Sequence, residues 1–344
     1  MRLALICLVL TAVALTATPA SGSAPAAHRY LVTAFGTGSE PPLVEILDHS
    51  GQVERVVAHP GHARSQAARW SPDGSMLAWI GHQGVVVERA DGSGKSVLAP
   101  ASKRCSDVCT GFSFAWSPDS RSLAIGGAGV DTNHLVVVAA RGGKRVEVAP
   151  ASRATNYFVV GWLPDGKSLV YERSSGTLGH AGCCRLDLRV AAADGSHARV
   201  AYRFPDPFYK GSSPSLSPNG RAIAYMTPSS DGRSNLIRVV HLRSGAVHAM
   251  DVGVVFDQAP AWSPDSRKLA LARAYGEVVT VPADGGQVHG LGTKGAGAYW
   301  GAGGEVIILR GKRLGQVWVS RNGSPARFLF RVPGGLGIAT IDAR

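Results

Sequence analysis

Charged residues are scarce in this chain, and several patterns that mark common functional classes are absent from its sequence. Asp, Glu, Lys and Arg make up 17% of the 344 residues, and there are 5 cysteines. Lysine and arginine form no long run, so the net charge of +12 does not indicate a nucleic-acid-binding protein. Beyond the N-terminus, no apolar run approaches the roughly 20 residues that span a bilayer, which argues against stable membrane insertion. A G-x-S-x-G elbow is missing, which argues against a serine hydrolase.

The N-terminus has the pattern of a secretory signal peptide. Arg2 precedes an apolar run from Leu3 to about Leu15, and small residues with Ala-x-Ala-like spacing follow between Ala20 and Ala27. The run is shorter than the roughly 20 residues of a membrane anchor. We therefore expect residues 1–27 to be removed on export, with cleavage within 20–27. Residues 28–344 are expected to form a single secreted or periplasmic domain.

A tryptophan, a tight turn and a short apolar run recur in that order along the rest of the chain. In Ser71-Pro72-Asp73-Gly74 the proline fixes φ, the aspartate accepts backbone hydrogen bonds and the glycine tolerates positive φ. A repeat period in the forties is typical of a β-propeller blade of four strands. The residues that begin these units are spaced 38 to 54 positions apart, most often 46: Trp70, Trp116, Trp162, Leu216, Trp262 and Trp300.

A second turn, a hairpin dipeptide between two strand-like runs, occurs seven times against six tryptophan-type turns. The segment from Tyr30 to Val57 has three strand patterns and lacks an opening strand, whereas the final run from Leu336 onward is one unclaimed strand. The sequence therefore predicts an all-β propeller of seven four-stranded blades, with six as the alternative. In this prediction the C-terminal strand joins the N-terminal blade and closes the ring. The dipeptides are Ser50-Gly51, Asp91-Gly92, Gly142-Gly143, Asp194-Gly195, Ser244-Gly245, Asp284-Gly285 and Asn322-Gly323.

The W-S-P-D-G…L-A unit that starts at Trp70, with its near-copies, resembles the repeat of TolB-type β-propellers. The same repeat is found in the propeller domains of prolyl oligopeptidase-like proteins. The resemblance covers almost all of the chain after the N-terminal segment. It implies a propeller fold and a periplasmic, protein-binding component of an envelope complex.

The loops of such a propeller lie on two opposite faces. Loops after the first and third strand of each blade are the short turns, and we call their face the short-turn face. Loops after the second and fourth strand include nearly all the long, irregular segments, and we call theirs the long-loop face. Because binding residues tend to lie on loops of a rigid scaffold, we expect the functional face to be the long-loop face.

The loop from Phe204 to Lys210 has the composition most typical of an interface. Phe208 and Tyr209 provide aromatic surface beside a cation, a combination favoured at interfaces. The alternative interpretation is that Phe204 and Phe208 cover the edge of the core. The full set of candidate binding residues is Arg104, His134, His180, Phe204, Asp206, Phe208, Tyr209 and Lys210.

Four cysteines remain after the predicted cleavage, and both groups fall in loops of the long-loop face. An even number in an exported chain predicts disulfides, but the sequence does not choose the pairing among Cys105, Cys109, Cys183 and Cys184. A metal site that includes His180 is the alternative. Adjacent cysteines rarely give tetrahedral geometry, so no metal and no cofactor are predicted.

The leading functional hypothesis is an exported, non-catalytic, monomeric propeller that binds a protein or an anionic cell-envelope ligand through its long-loop face. The alternative is a propeller enzyme, a polysaccharide or lactone lyase or hydrolase, with its site in the central funnel. Asp206 and Asp257 with His134 or His180 are the candidate acid–base groups for that alternative.

Overall fold

The computed structural model describes fourteen segments of the chain. The predicted signal peptide lies outside them, as do the four cysteines of the predicted disulfides. Within the described part, no helix has the length and apolarity needed to traverse a lipid bilayer. The described segments are residues 29–35, 43–58, 68–81, 83–100, 113–128, 133–152, 155–175, 185–205, 214–229, 234–254, 259–273, 276–311, 315–333 and 336–343.

Twenty-eight strands form seven antiparallel sheets of four strands each, which confirms the predicted seven-bladed propeller. Blade one contains β1 (Tyr30–Phe35), β2 (Leu43–Leu47), β3 (Val53–Ala58) and β28 (Gly337–Ala343). Blade two contains β4 (Arg69–Trp70), β5 (Met76–Gly81), β6 (Gly84–Arg89) and β7 (Ser96–Pro100). Blade three contains β8 (Ser113–Trp116), β9 (Ser122–Ala128), β10 (Asn133–Ala139) and β11 (Arg145–Ser152).

The remaining four blades each use four consecutive strands. Blade four contains β12 (Thr155–Trp162), β13 (Ser168–Ser175), β14 (Arg185–Ala192) and β15 (Arg199–Arg203). Blade five contains β16 (Ser215–Leu216), β17 (Ala222–Pro228), β18 (Asn235–His241) and β19 (Val247–Val254). Blade six contains β20 (Ala261–Trp262), β21 (Lys268–Ala272), β22 (Glu277–Pro282) and β23 (His289–Lys294). Blade seven contains β24 (Gly297–Trp300), β25 (Val306–Arg310), β26 (Gln316–Ser320) and β27 (Arg327–Arg331).

The ring closes inside blade one, where β28 pairs antiparallel with β1. Tyr30 stands opposite Ala343, and Val32 stands opposite Ile341. The Tyr30 ring also packs edge-on against Phe330 of blade seven, with ring centroids 5.1 Å apart. The prediction that the last strand completes the first blade is therefore confirmed, and β1 has a partner on both sides.

The core is divided among the seven interfaces between neighbouring blades. Each interface encloses one cluster of buried apolar side chains drawn from the facing sheets. Between blades three and four, for example, Leu135 and Val137 pack with Tyr157, Leu169 and Tyr171. The second strand of each blade contains a run of residues buried on both faces, such as Leu77–Ile80 on β5, which explains the apolar run in its sequence.

The turn after the first strand is held together by its own serine and aspartate. In blade two, Ser71 Oγ donates to a carboxylate oxygen of Asp73 at 2.6 Å and accepts from the N–H of Met76 at 2.9 Å. Desolvation raises the pKa of Asp73, but hydrogen bonds from Ser71, Ser75 and Ser120 outweigh it and lower the pKa to about 2. The carboxylate is therefore ionised and accepts hydrogen bonds within the turn. We assign the turn aspartates a structural role.

The tryptophan that precedes the turn ties its blade to the preceding one. The indole Nε1 of Trp116 donates to the carbonyl of Arg69, and that of Trp162 donates to the carbonyl of Ala115 at 3.0 Å. Trp262 makes the same bond to blade five. In each case the acceptor lies on the first strand of the preceding blade, so the indoles connect the innermost strands around the ring.

Candidate binding sites

Most of the predicted binding residues lie outside the part of the chain that the structure describes. Their roles stay predictions, and so do the disulfides and the alternative metal site. These residues are Arg104, His180, Asp206, Phe208, Tyr209 and Lys210, with Cys105, Cys109, Cys183 and Cys184. Asp257 of the catalytic alternative is also outside the described part.

Phe204 lies in the core between blades four and five. Its side chain is 7% exposed, and its ring packs edge-on against Tyr225 and Tyr202, with centroids 5.0 Å and 5.3 Å away. The ring is therefore not available to a partner. This placement fits the alternative interpretation, in which Phe204 covers the edge of the core.

His134 is exposed near the start of β10, on blade three. Its neighbour Asn133 is buried and donates from Nδ2 to the side-chain oxygen of Asn156 on blade four, at 2.5 Å. The side-chain oxygen of Asn133 is buried and accepts no hydrogen bond from a described residue. The hydrogen bond between Asn133 and Asn156 therefore joins the starts of β10 and β12 at the long-loop face.

A row of arginines around a buried aspartate crosses blade four near its long-loop end. The strand register places Tyr157, Arg173, Asp187 and Arg203 side by side on β12 to β15. The Asp187 side chain is 2% exposed. Its two oxygens lie 2.8 Å from Nε of Arg189 and 3.7 Å from Nη1 of Arg173. We call Arg173, Asp187, Arg189 and Arg203 the arginine row.

The arginine row carries two more positive charges than negative ones. The hydrogen bond to Asp187 is the main cause that raises the pKa of the Arg189 guanidinium above its already high value, and burial raises the pKa of the neighbouring Tyr171 phenol. Arg203 is exposed, and its side chain makes no hydrogen bond or ion pair with a described residue. A guanidinium in this position can bind a carboxylate or phosphate in a bidentate manner.

Sequence reasoning missed this row, although part of it was visible. Asp187 and Arg189 alternate with Leu186 and Leu188, so a strand interpretation places the two charged side chains on one face. The contribution of Arg173 depends on the pairing of β13 with β14, which the sequence does not display.

The opposite face of the same sheet holds a carboxyl group, that of Glu172, with a raised pKa. The register aligns Glu172 with Phe158 and Leu188, and Leu188 in turn with Tyr202. Burial among these side chains raises the pKa of Glu172 to about 7. The hydroxyls of Tyr202 and Tyr225 lie 2.9 Å apart in the same interface between blades four and five. Glu172 can therefore exchange a proton near neutral pH, but it lies on the second strand of its blade and not on the innermost strand.

Two grooves open on the short-turn face. The sequence did not indicate a binding site on this face. One, of about 730 Å³, lies between blades six and seven and includes Trp300 and His289 in its lining. The other, of about 580 Å³, lies between blades five and six and includes Trp262 and Arg221. Within the described ranges, no three His, Cys, Asp or Glu side chains are grouped so as to hold a metal ion.

Comparison with known proteins supports the fold. No family model matches the sequence. Among solved structures, TolB from Acinetobacter baumannii superimposes with a TM-score of 0.51 at 16% identity, over 76% of this chain and 65% of that one. This chain therefore spans less than two thirds of that TolB. Oligogalacturonate lyase from Vibrio parahaemolyticus gives a TM-score of 0.56 at 10% identity, over 78% and 80% of the two chains. Hydrazine synthase from Kuenenia stuttgartiensis gives a TM-score of 0.56 at 16% identity, over 81% of this chain and 89% of that one. At these identities the likeness extends to the propeller fold alone.

Proposed function

We propose that this chain is an exported, non-catalytic binding protein whose long-loop face takes an acidic protein surface or an anionic polymer of the cell envelope. The observation that carries the proposal is the arginine row, whose three guanidinium groups share one carboxylate among the described residues, that of Asp187. The row lies where β13, β14 and β15 reach the long-loop face. Residues 1–27 are removed on export in this proposal, and the remainder acts as one domain.

The arrangement of charges favours a ligand-binding role for Arg203 over a purely structural one. Asp187 is buried and already contacts Arg173 and Arg189, so it holds these two side chains in place. Arg203 is the outermost member and remains exposed. A partly desolvated, preorganised cluster with excess positive charge attracts an anion more strongly than isolated surface arginines do. The resemblance of the repeat to TolB-type propellers, which implies protein binding in the periplasm, agrees with this proposal.

Binding to two defined polyanions tests the proposal. Polyglutamate presents carboxylates and polyphosphate presents phosphates, so the two probes distinguish the possible ligand groups. We expect Arg203→Gln to weaken binding several-fold, and the affinity of the unchanged protein to fall with added salt. Arg243→Gln is the matched control, because Arg243 is exposed on the short-turn face of blade five. Equal losses in the two variants, or no binding by the unchanged protein, would refute the proposal.

The loop from Phe204 to Lys210 is tested separately by the capture of proteins from a cell-envelope extract. In this proposal Phe208 and Tyr209 contribute to the same face, so the double variant Phe208→Ala/Tyr209→Ala should recover less of the proteins retained by the unchanged chain. Full recovery by the double variant would remove that loop from the proposed interface and leave the arginine row as its only support.

Glu172 favours a second candidate function, a propeller lyase or hydrolase. A carboxyl with a pKa of about 7 is suited to general acid–base catalysis at neutral pH. Assays with a panel of polysaccharides and lactones test this function. Product formation that disappears in Glu172→Gln, with folding preserved, would favour the enzyme over the binding protein.

A further inference from the structure

The turn after the first strand is different in blade seven. Here Gly301-Ala302-Gly303-Gly304 follows Trp300, so the only side chain in the turn is one methyl group. The corresponding turns of blades two to six each contain a proline at the second position: Pro72, Pro118, Pro164, Pro218 and Pro264.

In blades three, five and six, the fourth residue of the turn contacts the turn of the preceding blade. The hydroxyl of Ser120 accepts a hydrogen bond of 3.0 Å from the N–H of Asp73, and that of Ser266 accepts one of 2.9 Å from the N–H of Asn219. A Cβ placed on Gly220 would lie 2.4 Å from Pro164, so this contact is also close. These contacts join neighbouring turns at three of the blade interfaces on the short-turn face.

Blade seven lacks that contact, as do blades two and four, where Gly74 and Gly166 occupy the same position. Its fourth turn residue is Gly304, and a Cβ placed there would meet no atom within 4 Å. The small residues Ala302, Gly303 and Gly304 of this turn line a groove of about 730 Å³ between blades six and seven.

Trp300, on the blade-seven side of the groove, is held differently from three of its four tryptophan counterparts. The indole nitrogens of Trp116, Trp162 and Trp262 donate to the preceding blade. The indole nitrogen of Trp300 is buried and has no partner among the described residues. Its ring contributes apolar surface to the groove without being fixed by that hydrogen bond.

The charged groups in the lining balance each other. Asp265 accepts from Ser263 Oγ at 2.6 Å and from the N–H of Arg267 at 3.0 Å. The Ser263 hydrogen bond is the main cause that lowers the pKa of Asp265, so its carboxylate is ionised at neutral pH. Lys268 in the same lining supplies one positive charge. The groove therefore has no excess charge to attract a strongly anionic or cationic ligand.

Uncharged hydrogen-bonding side chains make up much of the remaining wall. Gln287, Ser320 and Asn322 provide amide and hydroxyl groups that can donate and accept. His289 is positioned by a contact of 3.1 Å between its Nε2 and the carbonyl oxygen of Gly323. A volume of about 730 Å³ lies within the roughly 300–1,000 Å³ of small-molecule sites.

We infer that this groove binds a short neutral oligosaccharide. A sugar ring has an apolar C–H face, which suits an indole, and a rim of hydroxyls, which suits amide and hydroxyl side chains. The absence of excess charge in the lining favours a neutral sugar over a uronic acid or a phosphorylated one. The site is on the short-turn face, so the inference is independent of the anion-binding function proposed for the opposite face.

Calorimetric titration with three neutral probes, maltotetraose, cellotetraose and chitotetraose, tests the inference. We expect at least one probe to bind. In Ala302→Trp, which fills the groove from an exposed position of the turn, its affinity should fall at least about tenfold. Lys144→Trp is the matched control, since it adds an exposed indole to the same face on blade three, and it should leave the affinity unchanged.

A second variant keeps the test decisive if Ala302→Trp does not fold. Asn322 has a positive φ of 52°, which glycine adopts without strain, so Asn322→Gly removes the amide with little effect on the backbone. It should weaken the same probe several-fold at an unchanged thermal midpoint. The inference is overturned if no neutral probe binds, or if both variants bind the probe as the unchanged protein does.

Discussion

The main-chain N–H of Trp70 donates a hydrogen bond of 2.9 Å to a carboxylate oxygen of Asp342, a residue 272 positions further along the chain. This bond joins β4 of blade two to β28, the innermost strand of blade one. At the seams before blades three, four and six, an indole donates to a backbone carbonyl instead. The indole nitrogen of Trp70 is buried and has no such partner among the described residues, so the carboxylate of Asp342 connects the innermost strands at this seam instead.

Replacing Asp342 by alanine should destabilise the closed ring. The variant leaves the N–H of Trp70 without its acceptor in a partly buried position, which costs about 1–3 kcal/mol of unfolding free energy. Urea denaturation of the two proteins measures the loss. Asp284→Ala is the control, because Asp284 is exposed and should change stability by no more than about 0.5 kcal/mol. Equal effects of the two substitutions would mean that the seam bond contributes nothing.

The two kinds of tryptophan should respond differently to phenylalanine. Trp116→Phe removes an interblade hydrogen bond as well as ring volume, whereas Trp300→Phe removes ring volume and a buried donor without a described partner. We expect Trp116→Phe to cost about 1 kcal/mol more unfolding free energy than Trp300→Phe. Chemical denaturation of both variants gives the difference directly. A larger loss in Trp300→Phe would contradict the assignment of Trp116 as an interblade connection.

Glu172 should make the protein less stable as the pH rises towards neutrality. Its pKa is raised by burial from 4.5 to about 7, so the folded state retains a proton that the unfolded chain has lost. This contribution is complete below the unfolded pKa and disappears as the pH rises through the folded one, a change on the order of 3 kcal/mol. Glu172→Gln should abolish it.

Denaturation at about pH 5 and about pH 8 isolates this effect when the two proteins are compared, since other titrating groups are common to both. The stability difference between the glutamine variant and the unchanged protein should grow in favour of the variant at the higher pH. A difference that is the same at both values would show that Glu172 ionises with its ordinary pKa.

Gly126 allows blades three and four to approach each other. A Cβ at this position would lie 2.7 Å from the carbonyl oxygen of Tyr157, and a backbone atom cannot easily give way. We expect Gly126→Ala to lower the unfolding free energy by at least about 1–3 kcal/mol. Gly81→Ala is the matched control on β5, where the nearest atom is 3.7 Å away, and it should be neutral or slightly stabilising. Thermal midpoints of the two variants test the contrast.

The arrangement of the blades could be predicted because each repeat unit encodes it locally. The turn at Ser71–Gly74 contains its own hydrogen-bonding partners, and the unit recurs with a nearly constant period. The closure followed from counting, since three strand patterns after Tyr30 and one after Leu336 complete a blade together.

The candidate sites depend on relationships between units, and these were not predictable. Arg173 meets Asp187 only through the register of β13 with β14. The pKa of Glu172 depends on packing between blades four and five. The unit at Trp300 was counted with the other tryptophan-type units, but the groove beside it depends on how blades six and seven face each other.

The pairing of Tyr30 with Ala343 also determines how the molecule responds to tension. These two residues stand opposite each other at the same end of an antiparallel pair, so a force that pulls them apart acts across the hydrogen bonds of β1 and β28. The bonds then break one after another instead of sharing the load. Mechanical extension from this pair should therefore open blade one at low force, before any of the blades built from four consecutive strands.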